Sequence, residues 1–138
     1  MRLRVRQKIA NFNMDALHIE NTGLTPLVHF DTESFILRIE GKMIPENVED
    51  TFTPINHWIG EYLNENNKLH LLFRLYYYNT SSARQFFLMY KKLDTFFKAG
   101  KDVHVRWEFE DGDEDSMNDA EEFLTGVSFP FQIVPVEG

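Results

Sequence analysis

Apolar residues in this chain change their spacing several times, and each change marks an element. Leu69, Leu71, Phe73, Leu75 and Tyr77 alternate with His70, Leu72, Arg74 and Tyr76, the period of an extended strand, with both faces apolar enough for the centre of a sheet. On either side the spacing lengthens to three and four. Ile55, Trp58, Ile59, Tyr62 and Leu63 predict an amphipathic helix with Pro54 in its first turn. Ala83, Phe86, Phe87, Tyr90, Leu93 and Phe97 predict a second helix over 81–98, with Lys98 in its last turn and Gly100 as its stop. Val103, Val105, Trp107 and Phe109 alternate with His104, Arg106 and Glu108 as a half-polar strand. A shorter helix over 115–126 capped by Gly126, and a strand over 129–134, complete the series.

Upstream, residues 27–30 and 35–39 flank the turn Asp31-Thr32-Glu33-Ser34 as a β-hairpin that Gly41 ends, and Leu17-His18-Ile19 supplies a short edge strand. From residue 35 the order is β-α-β-α-β-α-β, which implies parallel strands joined by right-handed crossovers. The expected architecture is one α/β domain with a mixed, mostly parallel sheet, an N-terminal hairpin and about three helices. Residues 1–13, basic at Arg2, Arg4, Arg6 and Lys8 and without sustained periodicity, read as an N-terminal extension to a domain spanning 14–138. There is no internal repeat and no low-complexity linker.

Composition narrows the function. A chain of 138 residues with 43% hydrophobic content can bury a core without metal or disulfide support, and its 13 Phe, 5 Tyr and 2 Trp fall at strand and helix spacings that assign most of them to that core. Cysteine is absent, which removes disulfides, thiolate catalysis and zinc–thiolate sites and suits a reducing cytoplasm. A formal charge of −8 argues against nucleic-acid and anionic-membrane partners. No apolar run approaches the ~18 residues of a membrane span, and the basic start lacks the apolar stretch of a secretory signal. A cytoplasmic protein with protein partners is expected.

Candidate chemistry gathers where the parallel strands end. Loops leaving the C-terminal ends of strands 35–40, 69–77 and 103–109 emerge on one edge, the edge on which α/β proteins place ligands. They carry Pro45-Glu46-Asn47, Asn79-Thr80-Ser81-Ser82 and the acidic run Glu110-Asp111-Gly112-Asp113-Glu114-Asp115. In the second, capping and hydroxyl side chains fall at the start of helix 81–98. Unpaired first-turn N–H groups and the positive end of the helix dipole there favour a phosphate by about 0.3–1 kcal/mol. Asn79, Thr80 or Ser81 serves equally well as a plain N-cap. In the acidic segment 110–122, Asp111, Asp113, Asp115, Asp119 and Glu122 fall at calcium-loop positions 1, 3, 5, 9 and 12, yet Ser116 stands where that loop needs Gly and a strand precedes it. A calcium- or small-molecule-binding domain is therefore the alternative to a regulatory one. The histidines 18, 29, 57, 70 and 104 show no metal-ligand spacing, and no nucleophile–base pairing or phosphate-binding Gly-rich loop is visible. Glu46 and Asp113 form at most a coincidental carboxylate pair. No catalytic residue, metal or cofactor is assigned.

Ile39-Glu40-Gly41-Lys42 before Pro45-Glu46-Asn47, residues 54–58, Tyr78-Asn79-Thr80-Ser81-Ser82, Gly100-Lys101 ahead of a strand with Trp107, Asp113-Glu114-Asp115 and Phe129-Pro130-Phe131 together resemble the SiaC family of bacterial regulatory phosphoproteins, from about residue 17 to 134. The resemblance implies a fold like that of anti-anti-sigma-factor (STAS-like) domains and a place in a partner-switching circuit. A cognate serine/threonine kinase would phosphorylate the threonine that matches Thr80, and a PP2C-type phosphatase would reverse it. Asn79, Ser81 and Ser82 would surround the phosphosite, and Pro45, Glu46, Asn47, Asp113, Glu114 and Asp115 would contact partners. The resemblance further implies a diguanylate cyclase as downstream effector, and hence cyclic di-GMP signalling and biofilm control.

Overall fold

The structure, a computed structural model, describes residues 16–137, so the expected extension over 1–13 and the domain start at Met14 lie outside the described residues. In chain order the elements are β1 (His18–Ile19), β2 (Leu27–Asp31), β3 (Ile36–Met43), α1 (Val48–Glu65), β4 (Lys68–Tyr78), α2 (Thr80–Lys98), β5 (Asp102–Glu110), α3 (Glu114–Phe123) and β6 (Phe131–Val136). The six strands lie side by side in that same order. β1, β2 and β3 are antiparallel neighbours, and β3 through β6 run parallel. The expected mixed α/β domain with an N-terminal hairpin and three helices is thus observed.

Because strand order never reverses, right-handed crossovers place α1, α2 and α3 on one face. Burial follows from this. Leu37 and Ile39 of β3, Leu69, Leu71 and Phe73 of β4, and Val103, Val105 and Trp107 of β5 are buried beneath the helices. On the opposite face Arg38, His70, Leu72, Arg74, His104, Arg106 and Glu108 are only partly covered or exposed. β4 is therefore central in the sheet but covered on one side only, which corrects the reading of two buried faces: Leu72 made the second face look more apolar than its Arg and His neighbours leave it.

Two further expectations shift. Gly41 does not end the hairpin, since β3 continues to Met43 through a register shift between Gly41 and Lys42, and the positive φ of Gly41 (121°) accommodates the irregularity. Pro54 lies in the second turn of α1 rather than the first, because Asn47 starts the helix early by accepting from Glu49 N (3.0 Å) and Asp50 N (3.2 Å). The proline sits on the exposed side of the helix and sacrifices one intrahelical bond there. Gly100 takes the left-handed conformation (φ 105°) just past the α2 cap at Ala99, as expected.

The buried Asp94 of α2 fixes the return of the chain to the sheet. Its Oδ1 accepts from Ser128 N at 2.7 Å and Phe129 N at 3.2 Å, and Lys98 Nζ lies 3.4 Å from Oδ2. Asp94→Ala leaves two backbone donors unmatched, and the expected loss is about 1–3 kcal/mol in urea denaturation. A change below ~0.5 kcal/mol would show that water replaces the carboxylate freely.

Candidate functional site

The three loops that follow β3, β4 and β5 meet at one edge, and hydrogen bonds tie them together. Asn79 N donates to Met43 O at 3.2 Å, joining the end of β4 to the end of β3. Tyr78 Oη donates to Asp119 Oδ2 at 2.7 Å, joining it to α3. Burial, the bond to Asp119 and the nearby charge of Asp119 push the Tyr78 phenol far above its ordinary value, so it is a permanent donor. The start of α2 is held between these two ties.

Each helix at this edge has a side-chain N-cap: Asn47 for α1, Asn79 for α2 and Asp113 for α3. Their first turns differ in charge. Glu49 and Asp50 in α1, and Glu114 and Asp115 in α3, already offset their helix dipoles, whereas the first turn of α2 holds Thr80, Ser81 and Ser82 and no acid.

The hydroxyls of that turn face different surroundings. Ser82 is 0% exposed and its Oγ is buried without a hydrogen-bond partner. Ser81 is exposed, but its Oγ donates to Asn79 Oδ1 at 3.2 Å. Thr80 is exposed at the first helical position, beside the outward-pointing N–H groups of the turn. Asn79 holds this arrangement by accepting from Ser82 N at 3.0 Å. Asn79→Ala is expected to cost about 0.5–2 kcal/mol and to speed amide exchange at Ser82 and Ala83; unchanged exchange there would deny the cap its role.

Of the other predicted contact residues, Glu46, Glu114 and Asp115 are exposed on the same edge. Pro45, in the turn between β3 and α1, is buried and so presents little surface to a partner. Asn47 and Asp113 are engaged as caps, Asp113 accepting from Ser116 N at 3.1 Å, which also takes Asp113 out of any carboxylate pair with Glu46. The calcium-loop spacing does not become a calcium loop: Asp115, Asp119 and Glu122 lie along α3, Asp119 is bonded to Tyr78, and no group of three or more His, Asp or Glu side chains converges for a metal among the described residues. Among the described residues strand order does not reverse, so the sheet has no topological switch point, the place where α/β sheets usually hold small ligands.

Sequence reasoning missed exposed apolar side chains at the end of β4 and on α2. Tyr76 and Tyr77 end β4 at 60% and 63% exposure, with Lys42 Nζ 6.0 Å from the Tyr77 ring centre, and Leu88, two turns beyond Thr80 on α2, is also exposed. The signal was present as three consecutive tyrosines at a strand end, where an alternating pattern should have turned polar.

The site is thus the C-terminal edge of a one-sided α/β sheet, with an exposed hydroxyl and three helix caps. Residues 19–136 match the family model described as SiaC family regulatory phosphoprotein, and the chain belongs to that family. It is 33% identical over 121 residues to an uncharacterized protein of Pseudomonas aeruginosa strain UCBPP-PA14, covering 87% of this chain and 96% of the relative. In structure it is similar, with TM-score 0.82 and 32% identity over 87% of this chain and 99% of the other, to a chain in the crystal structure of the diguanylate cyclase SiaD in complex with its activator SiaC from P. aeruginosa. It is also similar to apo-SiaC from the same organism, with TM-score 0.78 and 32% identity over 86% of this chain and 98% of that one. No helix among the described residues is long and apolar enough to cross a membrane.

Proposed function

We propose that this protein is a cytoplasmic, non-catalytic switch that binds and activates a diguanylate cyclase while Thr80 is unmodified and releases it when Thr80 is phosphorylated. A cognate serine/threonine kinase adds the phosphate and a PP2C-type phosphatase removes it. The similarity to the activator chain of the SiaD complex supports the choice of effector. The observation that carries the reading is the exposure of Thr80 at the one helix start on this edge whose first turn contains no acid.

The chemistry is local. A phosphothreonine adds about −1.5 to −2 charge and three strong acceptors, which the helix start can hold without refolding. A partner seated on the neutral Thr80 hydroxyl instead meets a hydrated dianion on the edge that carries Glu46, Glu114 and Asp115. Incubation with the cognate kinase and ATP, followed by peptide mapping, should place a single phosphate on Thr80, and capture with Thr80→Ala should recover the cyclase. Phosphate on Ser81 alone would overturn the assignment.

A further inference from the structure

The antiparallel pairing of β1 with β2 sets His18 directly opposite His29. Their Nδ1 atoms lie 2.9 Å apart, with ring planes at 77°. His18 Nε2 contacts Glu20 Oε1 at 2.8 Å. When Nε2–H donates to this carboxylate, Nδ1 of His18 carries a lone pair directed at His29, and the proton on His29 Nδ1 bridges the two rings.

We infer that His18 and His29 form a binding site for one divalent transition-metal ion of the copper or nickel type, held beside the Nδ1–Nδ1 line once the hydrogen bond between the rings opens. Two imidazole nitrogens about 2.0–2.1 Å from one ion and at right angles lie about 2.9 Å apart, whereas tetrahedral bonding spreads them to about 3.4 Å. The spacing thus fits neighbouring corners of the tetragonal geometry that Cu2+ and Ni2+ prefer. As the metal–nitrogen bond forms, the His29 proton passes through solvent from Nδ1 to Nε2, so both ligands stay neutral imidazoles.

Glu20 supplies the outer carboxylate that fixes ring orientation and raises the basicity of a metal-binding histidine. Asp31 follows His29 by two residues on the same face of β2 and adds negative charge. Arg38, opposite His29 on β3, is occupied by Glu40 at 2.6 Å. No third His, Asp or Glu converges on the pair among the described residues, so water fills the remaining positions. A cavity of about 300 Å3 lined by Leu17, Phe30, Asp31 and Thr32 adjoins both rings and leaves room for it. A second pair, His70 opposite His104, serves as an internal control: its ring centres lie 5.3 Å apart, but no hydrogen bond brings two ring nitrogens together as in the first pair.

The test is titration of the tag-free, chelator-stripped protein with Cu2+ or Ni2+ alone, by calorimetry in two buffers of different ionisation enthalpy and by electron paramagnetic resonance of the copper form. One equivalent per chain, a binding enthalpy that does not depend on the buffer, and a nitrogen splitting pattern from two imidazoles are expected. His18→Ala and His29→Ala should each lower affinity at least tenfold and reduce the pattern to one imidazole, Glu20→Gln should weaken binding about tenfold, and His70→Ala should bind like the parent. Unchanged affinity in His29→Ala, loss of binding in His70→Ala, or a copper signal without two imidazoles overturns the site. The splitting pattern is read on folded protein, with thermal melting in chelator confirming the fold of each variant.

Discussion

Trp107→Ala is expected to cost about 3–5 kcal/mol, a fifth or more of the ~5–15 kcal/mol that stabilises a domain of this size, and to lower the melting temperature by about 10–20 °C. The ring is 0% exposed and stands at the junction of the sheet with two helices. It stacks on Phe73 of β4 with centroids 5.7 Å apart and meets Phe86 of α2 and Phe123 of α3 edge-on, each at 5.6 Å. No neighbour can close a void that three elements border. The indole also donates from Nε1 to the buried Ser116 Oγ at 3.0 Å, so Trp107→Phe, which keeps most of the apolar volume, still leaves a hydroxyl without its partner. Adding Ser116→Ala to Trp107→Phe should recover part of that loss. Far-UV circular dichroism in urea measures all three variants. A loss under ~1 kcal/mol for Trp107→Ala would mean that the core is not centred on this ring.

Phosphorylation of Thr80 is expected to weaken cyclase binding by about 30- to 150-fold, the equivalent of ~2–3 kcal/mol, while leaving the melting temperature unchanged or slightly higher. The two readouts move separately for a structural reason. The charge lands where helix dipole and first-turn N–H groups accept it, so the fold tolerates the modification. The docking surface is penalised, because a partner must strip water from a dianion that the acidic rim already repels. Titration of the cyclase with unmodified, stoichiometrically phosphorylated and Thr80→Ala protein decides the matter. Equal affinity of the first two sinks the switch, and a melting temperature that collapses on phosphorylation would replace interface blocking with unfolding.

The elements legible in the sequence were those whose period was enforced by a buried face. Ile55, Trp58, Ile59, Tyr62 and Leu63 gave α1 because all five are buried against the sheet, and the alternation around Trp107 gave β5 for the same reason. Boundaries drifted where backbone chemistry decides instead. Asn47 extends α1 upstream of its apolar stripe, and the irregularity at Gly41 prolongs β3 without altering any hydrophobic count. At the site, the hydroxyl turn was visible as composition, but only the folded chain separates exposed Thr80 from sealed Ser82. Pro45 misled because loop residues are normally exposed, and this one packs inward. The His18–His29 contact was invisible because it depends on hairpin register, which no spacing along the chain encodes.

Strand order that copies chain order has a consequence for biosynthesis. Each parallel strand reaches its partner after a single helical crossover, so the sheet can widen strip by strip as the polypeptide leaves the ribosome, without waiting for a distant segment to insert between earlier ones. The last strip added is β6, and the Asp94 latch that receives it is already in place on α2 by then. Nascent chains that carry residues up to 110 on a linker long enough to clear the ribosome should therefore be protease-resistant through α2 and β5, with the C-terminal margin of the sheet still awaiting closure.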